Sequence, residues 1–229
     1  MSDKSYNRKR EFIMAALELF YNKGYENTTI KDIIEELGVS KGAFYHYFES
    51  KEDVIVAIAK EFKDRAVKVI KEIFARTDLT AVEKMNKVFA SINEYKAREG
   101  KRRTKLRASI ESEENLKLLH KIYNSTKQDI VGLYEELIDT GVEEGVFGDP
   151  VNSRELADFF INTIFTLNTS VHQLEMELYD GEKEADYQGF LGKLEDKVRF
   201  YEMALERVFQ LKEGSFDLRT PYLKRFIQE

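Results

Sequence analysis

Cysteine is absent from this 229-residue chain, which excludes thiolate nucleophiles, thiolate metal sites and disulfides. Its histidines, His46, His120 and His172, stand at no metal-ligand spacing, and no Ser/His/Asp pattern accompanies them. No catalytic set, metal site or cofactor motif emerges, so an enzyme is not expected. The chemistry that the chain does concentrate lies in "GVSKGAFYHYFESK", residues 38–51. Lys41, Tyr45, His46, Tyr47 and Lys51 supply N–H and O–H donors at close spacing there. Donors gathered in this way suit phosphate oxygens and base edges better than they suit proton transfer.

A helix must hold those side chains. With residues 41–48 helical, Phe44 and Phe48, four apart, face inward; Lys41, Gly42, Tyr45 and His46 point outward, with Tyr47 at the boundary. Gly42 costs about 1 kcal/mol in a helix interior, yet lets a phosphate or base edge approach the backbone. The preceding segment, with Ile30, Ile33, Ile34 and Leu37 on one face, reads as a helix ended by Gly38. Together residues 30–48 have the spacing of a helix-turn-helix. Thr28 or Thr29 caps its first helix and Ser40 its second, and both N-termini offer free N–H groups to phosphate. Lys51 opens the next helix within reach of the same backbone. A small three-helix core would by itself explain Phe44 and Phe48, but neither Gly42 nor the clustered caps.

Charge distribution agrees. Residues 1–51 hold equal numbers of basic and acidic side chains, so the net charge of −6 falls on the rest. Lys4, Arg8, Lys9 and Arg10 form a basic arm, and an acidic body would keep a DNA-binding head from sticking to DNA elsewhere on its surface. Only two prolines, 12 glycines and 34% charged residues favour an all-α protein. No apolar run is long enough to span a bilayer and no signal core opens the chain, so a cytoplasmic protein without membrane contact is expected.

Helical spacing continues throughout. Phe12, Ile13, Ala16, Leu17 and Phe20 predict a first helix stopped at "NKGY". Ser50 and Asp53 form a capping box for a long helix to about residue 75, and Thr80 with Glu83 opens another that breaks at Gly100. Ser112 caps the next. "TGVEEGVFGDP" (140–150) is a turn, followed by helices near 153–179 and 188–212 and a short one after Pro221. The run "KRRTKLR" (101–107) reads as a solvated loop or an anion site, offset by Glu111, Glu113 and Glu114.

The stretch "AALELFYNKGYENTTIKDIIEELGVSKGAFYHYFESKEDV" resembles the DNA-binding domain of the TetR family of bacterial transcription regulators. Ile34 departs from it, standing where helix-turn-helix sequences often place a small residue. The resemblance implies an all-α homodimer, with a helix-turn-helix domain at 1–52 and a helical ligand-binding and dimerisation domain at 53–229. It would bind a palindromic double-stranded DNA operator, as a repressor released by a small molecule; the alternative is a regulator controlled by a protein partner or by abundance. By position, Thr28, Thr29, Ser40, Lys41, Gly42, Tyr45, Tyr47 and Lys51 would contact phosphates. Lys41, Gly42, Ala43 and His46 would lie nearest the bases.

Two expectations concern the body. Leu156, Phe160, Ile164, Leu167, Val171, Leu174 and Leu178 form one stripe, and Phe190, Leu194, Val198, Tyr201, Leu205 and Val208 another. They suit a four-helix dimer interface, or equally the subunit's own core. Between Asp158 and Glu175 no residue is charged, which predicts a helix buried all round. Its second face, Asn162, Thr166, Thr169 and Gln173 with Phe165 and His172, then needs partners: backbone carbonyls, waters, a dimer mate or a ligand. With Tyr95, Tyr123 and Tyr134 it would enclose a largely apolar small molecule.

Overall fold

The computed structural model describes the backbone of residues 3–110, 113–150, 152–179 and 186–227, and side chains within 7–61, 63–98, 127–150, 152–178 and 186–227. The described residues are helical without strands: α1 (Asp3–Lys23), α2 (Ile30–Glu36), α3 (Lys41–Tyr45), α4 (Lys51–Phe74), α5 (Ala81–Ile110), α6 (Glu113–Glu143), α7 (Ser153–Tyr179), α8 (Tyr187–Val208) and α9 (Arg219–Ile227). They form two compact units, residues 1–67 with 99–126, and residues 68–98 with 127–229. Below, α1–α3 with the first turns of α4 are the head, and the second unit is the body.

In the head, Phe12, Phe20, Ile33, Phe44, Phe48, Val54 and Ile55 build an apolar core. Phe12 meets Phe44 edge-on at 5.9 Å and Phe48 at 6.1 Å. The inward placing of Phe44 and Phe48 is therefore as expected. The basic segment is not a free arm, because it forms the first turns of α1: Arg8 pairs with Glu11, and Arg10 lies 3.3 Å from Glu61.

The body core gathers Ile70, Met85, Phe89, Tyr134, Phe160, Leu167, Val171, Leu194, Leu205 and Tyr222 among others. Both predicted stripes contribute to it, so most of their residues pack within the chain. Phe160 packs against Phe209 and Phe216, with ring centroids at 5.8 and 6.1 Å, and Val198 and Leu205 are buried in the same core. What α7 and α8 leave outside is, apart from Val208 at the end of the second stripe, a different set: Phe159, Phe165 and Met176 on α7, Tyr187 and Phe200 on α8. The helix at 153–179 is thus not buried all round in one chain. Its uncharged run is long because one face meets the core and the other, exposed, mixes Phe159, Phe165 and Met176 with the uncharged polar Asn162, Thr166 and Gln173.

Three boundaries differ from expectation. α5 runs through Gly100 to Ile110; one interior glycine costs only about 1 kcal/mol among strong helix formers such as Lys, Arg and Glu. α8 stops at Val208 because Gln210 takes φ 54, with Leu211 N–H on Glu206 O at 2.7 Å and Gln210 N–H on Arg207 O at 3.2 Å. That is a Schellman turn without its usual glycine. α9 begins at Arg219, ahead of Pro221, which sits in the first turn where no N–H is required. The cap expected at Ser112 and the run 101–107 lie outside the described residues or side chains.

A buried carboxylate fixes the C-terminal segment. Glu202 Oε1 accepts Leu218 N–H at 2.8 Å and Arg219 N–H at 2.9 Å, while its Oε2 lies 2.8 Å from Arg219 Nε. Glu206 accepts Phe216 N–H at 3.0 Å, and Asn86 brackets Ser215 O and Asp217 N–H at 2.8 and 3.0 Å.

Candidate nucleic-acid interface

The turn between α2 and α3 is set by hydrogen bonds that the sequence dictates. Gly38 adopts φ +60, Gly38 N–H reaches Glu35 O at 3.1 Å and Val39 N–H reaches Ile34 O at 3.1 Å. This Schellman closure needs the left-handed residue that glycine supplies. Ile34 packs partly buried against the head core, so the bulky residue is accommodated at the turn.

Both helix starts are capped. Thr29 Oγ1 accepts Asp32 N–H at 3.2 Å, and Asp32 Oδ2 accepts Thr29 N–H at 2.7 Å, a reciprocal capping box. The Lys23 ammonium, bonded to Asp32 at 2.7 Å, and then the Thr29 N–H hold the Asp32 carboxyl well below the usual aspartate range. Ser40 Oγ accepts Ala43 N–H at 3.3 Å and starts α3. At α4, Ser50 Oγ accepts Asp53 N–H at 3.2 Å, but Asp53 returns its bond to Glu49 N–H at 2.9 Å, one residue earlier than a simple box would have it.

These caps display the predicted residues. Lys41, Gly42, Tyr45 and His46 are exposed on α3 and its C-cap; Ala43 and Tyr47 are half-buried. Tyr45, 47% exposed, rests its ring edge on Phe44 at 5.5 Å, with the Lys41 ammonium 5.7 Å from its centroid. Tyr47 is wedged between Phe12 at 5.7 Å and His46 at 4.7 Å. Lys51 donates to Tyr25 O at 2.8 Å and lies 4.0 Å over the Tyr25 ring, so its ammonium is positioned rather than mobile. Thr29 and Ser40 are exposed at the helix starts. Thr28 leaves the set: it is fully buried and its hydroxyl donates to Gly24 O at 2.8 Å. Its role is to close the α1–α2 turn.

Gly42 is the informative position. A Cβ built there meets nothing closer than Ser40 Oγ at 3.9 Å, and its φ is not left-handed. Neither packing nor backbone geometry inside the chain calls for glycine. What glycine provides at Gly42 is access to the backbone from outside.

The residues expected to hold a ligand are not brought together. Tyr134 is buried against Phe74 at 5.1 Å and Phe160 at 5.2 Å. Asn162, Phe165, Thr166 and Gln173 lie on the outer side of α7, with Phe165 48% exposed; Tyr95 and His172 are half-buried. Thr169 stands on α7 between these two sets. Asn162 bonds Asp158 at 2.6 Å and Thr166 donates to Asn162 O at 2.9 Å, so local partners satisfy them. The Tyr123 side chain lies outside the described residues. Sequence reasoning missed the body's inward polar groups, Asn93, Lys96, Asn168, Tyr222, Glu175 and Arg225. Their signal was present: Asn93 and Asn168 interrupt apolar stripes, the first one turn after Phe89 and the second beside Leu167. Among the described residues no group of three or more His, Asp or Glu could hold a metal, and no helix is long and apolar enough to cross a membrane.

Residues 12–58 match the family described as "Bacterial regulatory proteins, tetR family". Over 218 residues the chain is 28% identical to the uncharacterised HTH-type transcriptional regulator YfiR of Bacillus subtilis, covering 90% of this chain and 94% of that one. It is 36% identical over 70 residues to the HTH-type transcriptional repressor AcnR of Corynebacterium glutamicum, 31% of this chain and 37% of that one. Among solved structures, SmeT in complex with triclosan is similar in fold, with a TM-score of 0.64 at 18% identity over 92% of this chain and 95% of that one.

Proposed function

The chain belongs to the TetR family of bacterial transcriptional regulators, and from that premise we propose that it is a cytoplasmic repressor, a homodimer on a palindromic operator, released by a small molecule. Residues 1–52 are the DNA-binding part and residues 53–229 bind the ligand and the second subunit. The single observation that carries the DNA reading is the outer face of α3. Lys41, Gly42, Tyr45 and His46 are exposed together there, and Gly42 has open space where a side chain would stand. Lys41, Tyr45, Tyr47, Lys51 and the caps at Thr29 and Ser40 serve phosphates. Lys41, Gly42, Ala43 and His46 lie towards the bases.

Repression is supported by the name of AcnR, and control by a ligand through the triclosan held by SmeT. The dimer forms through the outer faces of α7 and α8, where Phe159, Phe165 and Met176 on one helix and Phe200, 68% exposed, on the other remain uncovered in a single chain. Asn162, Thr166 and Gln173 lie on the outer side of α7 and supply its polar contacts. The helix α4, continuous from Lys51 to Phe74, passes from one unit into the next and is the covalent route by which a ligand alters operator binding.

The test is selection of an operator from random duplexes, followed by salt titration. The selected site should be a palindrome bound by two chains. Lys41→Ala should weaken all sequences similarly and lower the salt slope by about one unit, whereas His46→Ala should change which bases are preferred. Selection that returns no enriched sequence would remove this reading. Phe200→Glu should yield a monomer by sedimentation that binds a half-site only.

A further inference from the structure

Three helices of the body bring polar side chains into an otherwise apolar core. Asn93 on α5 is 1% exposed; its Nδ2 donates to Phe89 O at 3.0 Å, while its Oδ1 meets no hydrogen-bond partner among the described residues. One turn before it, the Phe89 ring packs edge-on against Tyr222 of α9 at 5.3 Å. One turn after it, Lys96 Nζ donates to Asn168 Oδ1 on α7, which also accepts Tyr222 O–H at 3.0 Å. Asn93 thus lies on α5 between the points where that helix meets α9 and α7. Two turns further along α7 and one along α9, Arg225 donates to Glu175 at 2.6 Å, with His172 Nδ1 3.6 Å from the same carboxylate.

We propose that Asn93 Oδ1 anchors the small-molecule site of the body, and that the molecule is a hydroxy-aromatic whose O–H donates to it. The proposal rests on the ligand-released reading above. An acceptor buried without a partner destabilises the fold, whereas leucine at the same place would avoid that cost. Asn93 Oδ1 can be satisfied only by a donor. The Lys96 ammonium one turn away favours an acidic hydroxyl over an aliphatic one, because positive charge stabilises the oxygen as its proton is shared. Phe89 and Tyr222 supply ring faces and edges to a flat apolar body. Glu175 and Arg225, bonded to each other, are kept for the architecture of α7 and α9.

Calorimetric titration of the full dimer with 2-naphthol and with 2-methoxynaphthalene tests this. The two share a body, and only the first carries a donor. Naphthol should bind one site per chain at least tenfold more tightly than its ether and raise the melting temperature. Asn93→Leu should remain folded and remove that preference; Asn93→Asp, which keeps acceptor oxygens, should retain it and serves if the leucine variant fails to fold. Equal binding of the two probes, no binding of either, or a preference that survives in Asn93→Leu would overturn the proposal and leave a buried water on Asn93. Adding naphthol to the operator complex separates the two readings. An Asn93-dependent preference without DNA release keeps the site and removes ligand control. Release by a small-molecule extract that persists in Asn93→Leu keeps ligand control and removes this site.

Discussion

Tyrosines apart, Thr28 is the one polar side chain buried in the head among the described residues, and its hydroxyl is bonded within the adjoining turn; in the body Lys84, Asn93, Glu175, Glu202 and Glu206 are all buried. The head therefore places its donors outside, on caps and on α3, over a core that is apolar and aromatic. The body places polar groups inside, where each must find a partner or lose stability. Under the proposed function the contrast matches what each part would meet. B-form DNA presents a fixed shape to a preorganised surface, and a dry core holds that surface rigid. A ligand enclosed by protein is instead recognised by buried polar groups that only it, or a neighbouring segment, can satisfy.

The strongest way to break the comparison is to open the head core. Phe44 is fully buried against Phe12, Phe48 and Tyr45. Phe44→Ala should destabilise the head by about 4 kcal/mol and abolish operator binding, read by denaturant titration and by electrophoretic mobility shift. Glu202→Ala should cost the body about 3 kcal/mol, since it strands the Leu218 and Arg219 backbone N–H groups. Operator binding should survive it at temperatures where the body remains folded. Glu202→Gln, which keeps an acceptor oxygen, should recover part of the loss. Abolition of operator binding by Glu202→Ala in a folded protein would show that the two parts are not separable in this way.

Gly42 sharpens the same contrast with opposite signs in one variant. A methyl group there meets nothing closer than an ordinary contact within the chain, so Gly42→Ala should stabilise the head by up to about 1 kcal/mol. Its operator affinity should nevertheless fall at least tenfold. Unchanged affinity in a stabilised protein would remove Gly42 from the interface.

The head was legible because its signals are local. Gly38, the Thr29 and Ser40 caps and the Phe44–Phe48 spacing each act within four or five residues, and each recurs in the structure as its chemistry requires. Thr28 and Thr29 could not be told apart, because either hydroxyl suits a cap until the preceding turn claims one of them. The body was legible as helices but not as faces. The sequence shows that α7 is uncharged on both faces between Asp158 and Glu175, but which one meets the core depends on residues far away in sequence, such as Tyr134 and Phe209. The end of α8 was missed because Gln210, a residue without turn signal, takes the left-handed conformation. The inward polar set was missed because Asn93, Asn168 and Tyr222 come from three helices and have no common spacing.

The smallest effect belongs to Asp32, whose carboxylate belongs wholly to the exterior chemistry of the head. It accepts Lys23 at 2.7 Å, Thr29 N–H at 2.7 Å and Thr29 O–H at 2.8 Å. These contacts favour the charged form, so the folded pKa lies below the ordinary aspartate value of 3.8. Protonation therefore favours the unfolded chain. The contribution is complete above the unfolded pKa and disappears as pH falls through the folded one. In the Asp32→Asn variant the side-chain amide would keep an oxygen for Thr29 N–H but lose the attraction to Lys23. Its urea midpoint should lie slightly below wild type at neutral pH, and the gap should close progressively as pH falls below the ordinary aspartate value. Glu52, held low first by its own backbone N–H and then by Tyr25, titrates in the same direction in both proteins, so the difference between them isolates Asp32. A gap that widened on acidification would mean that the carboxylate is not what caps α2.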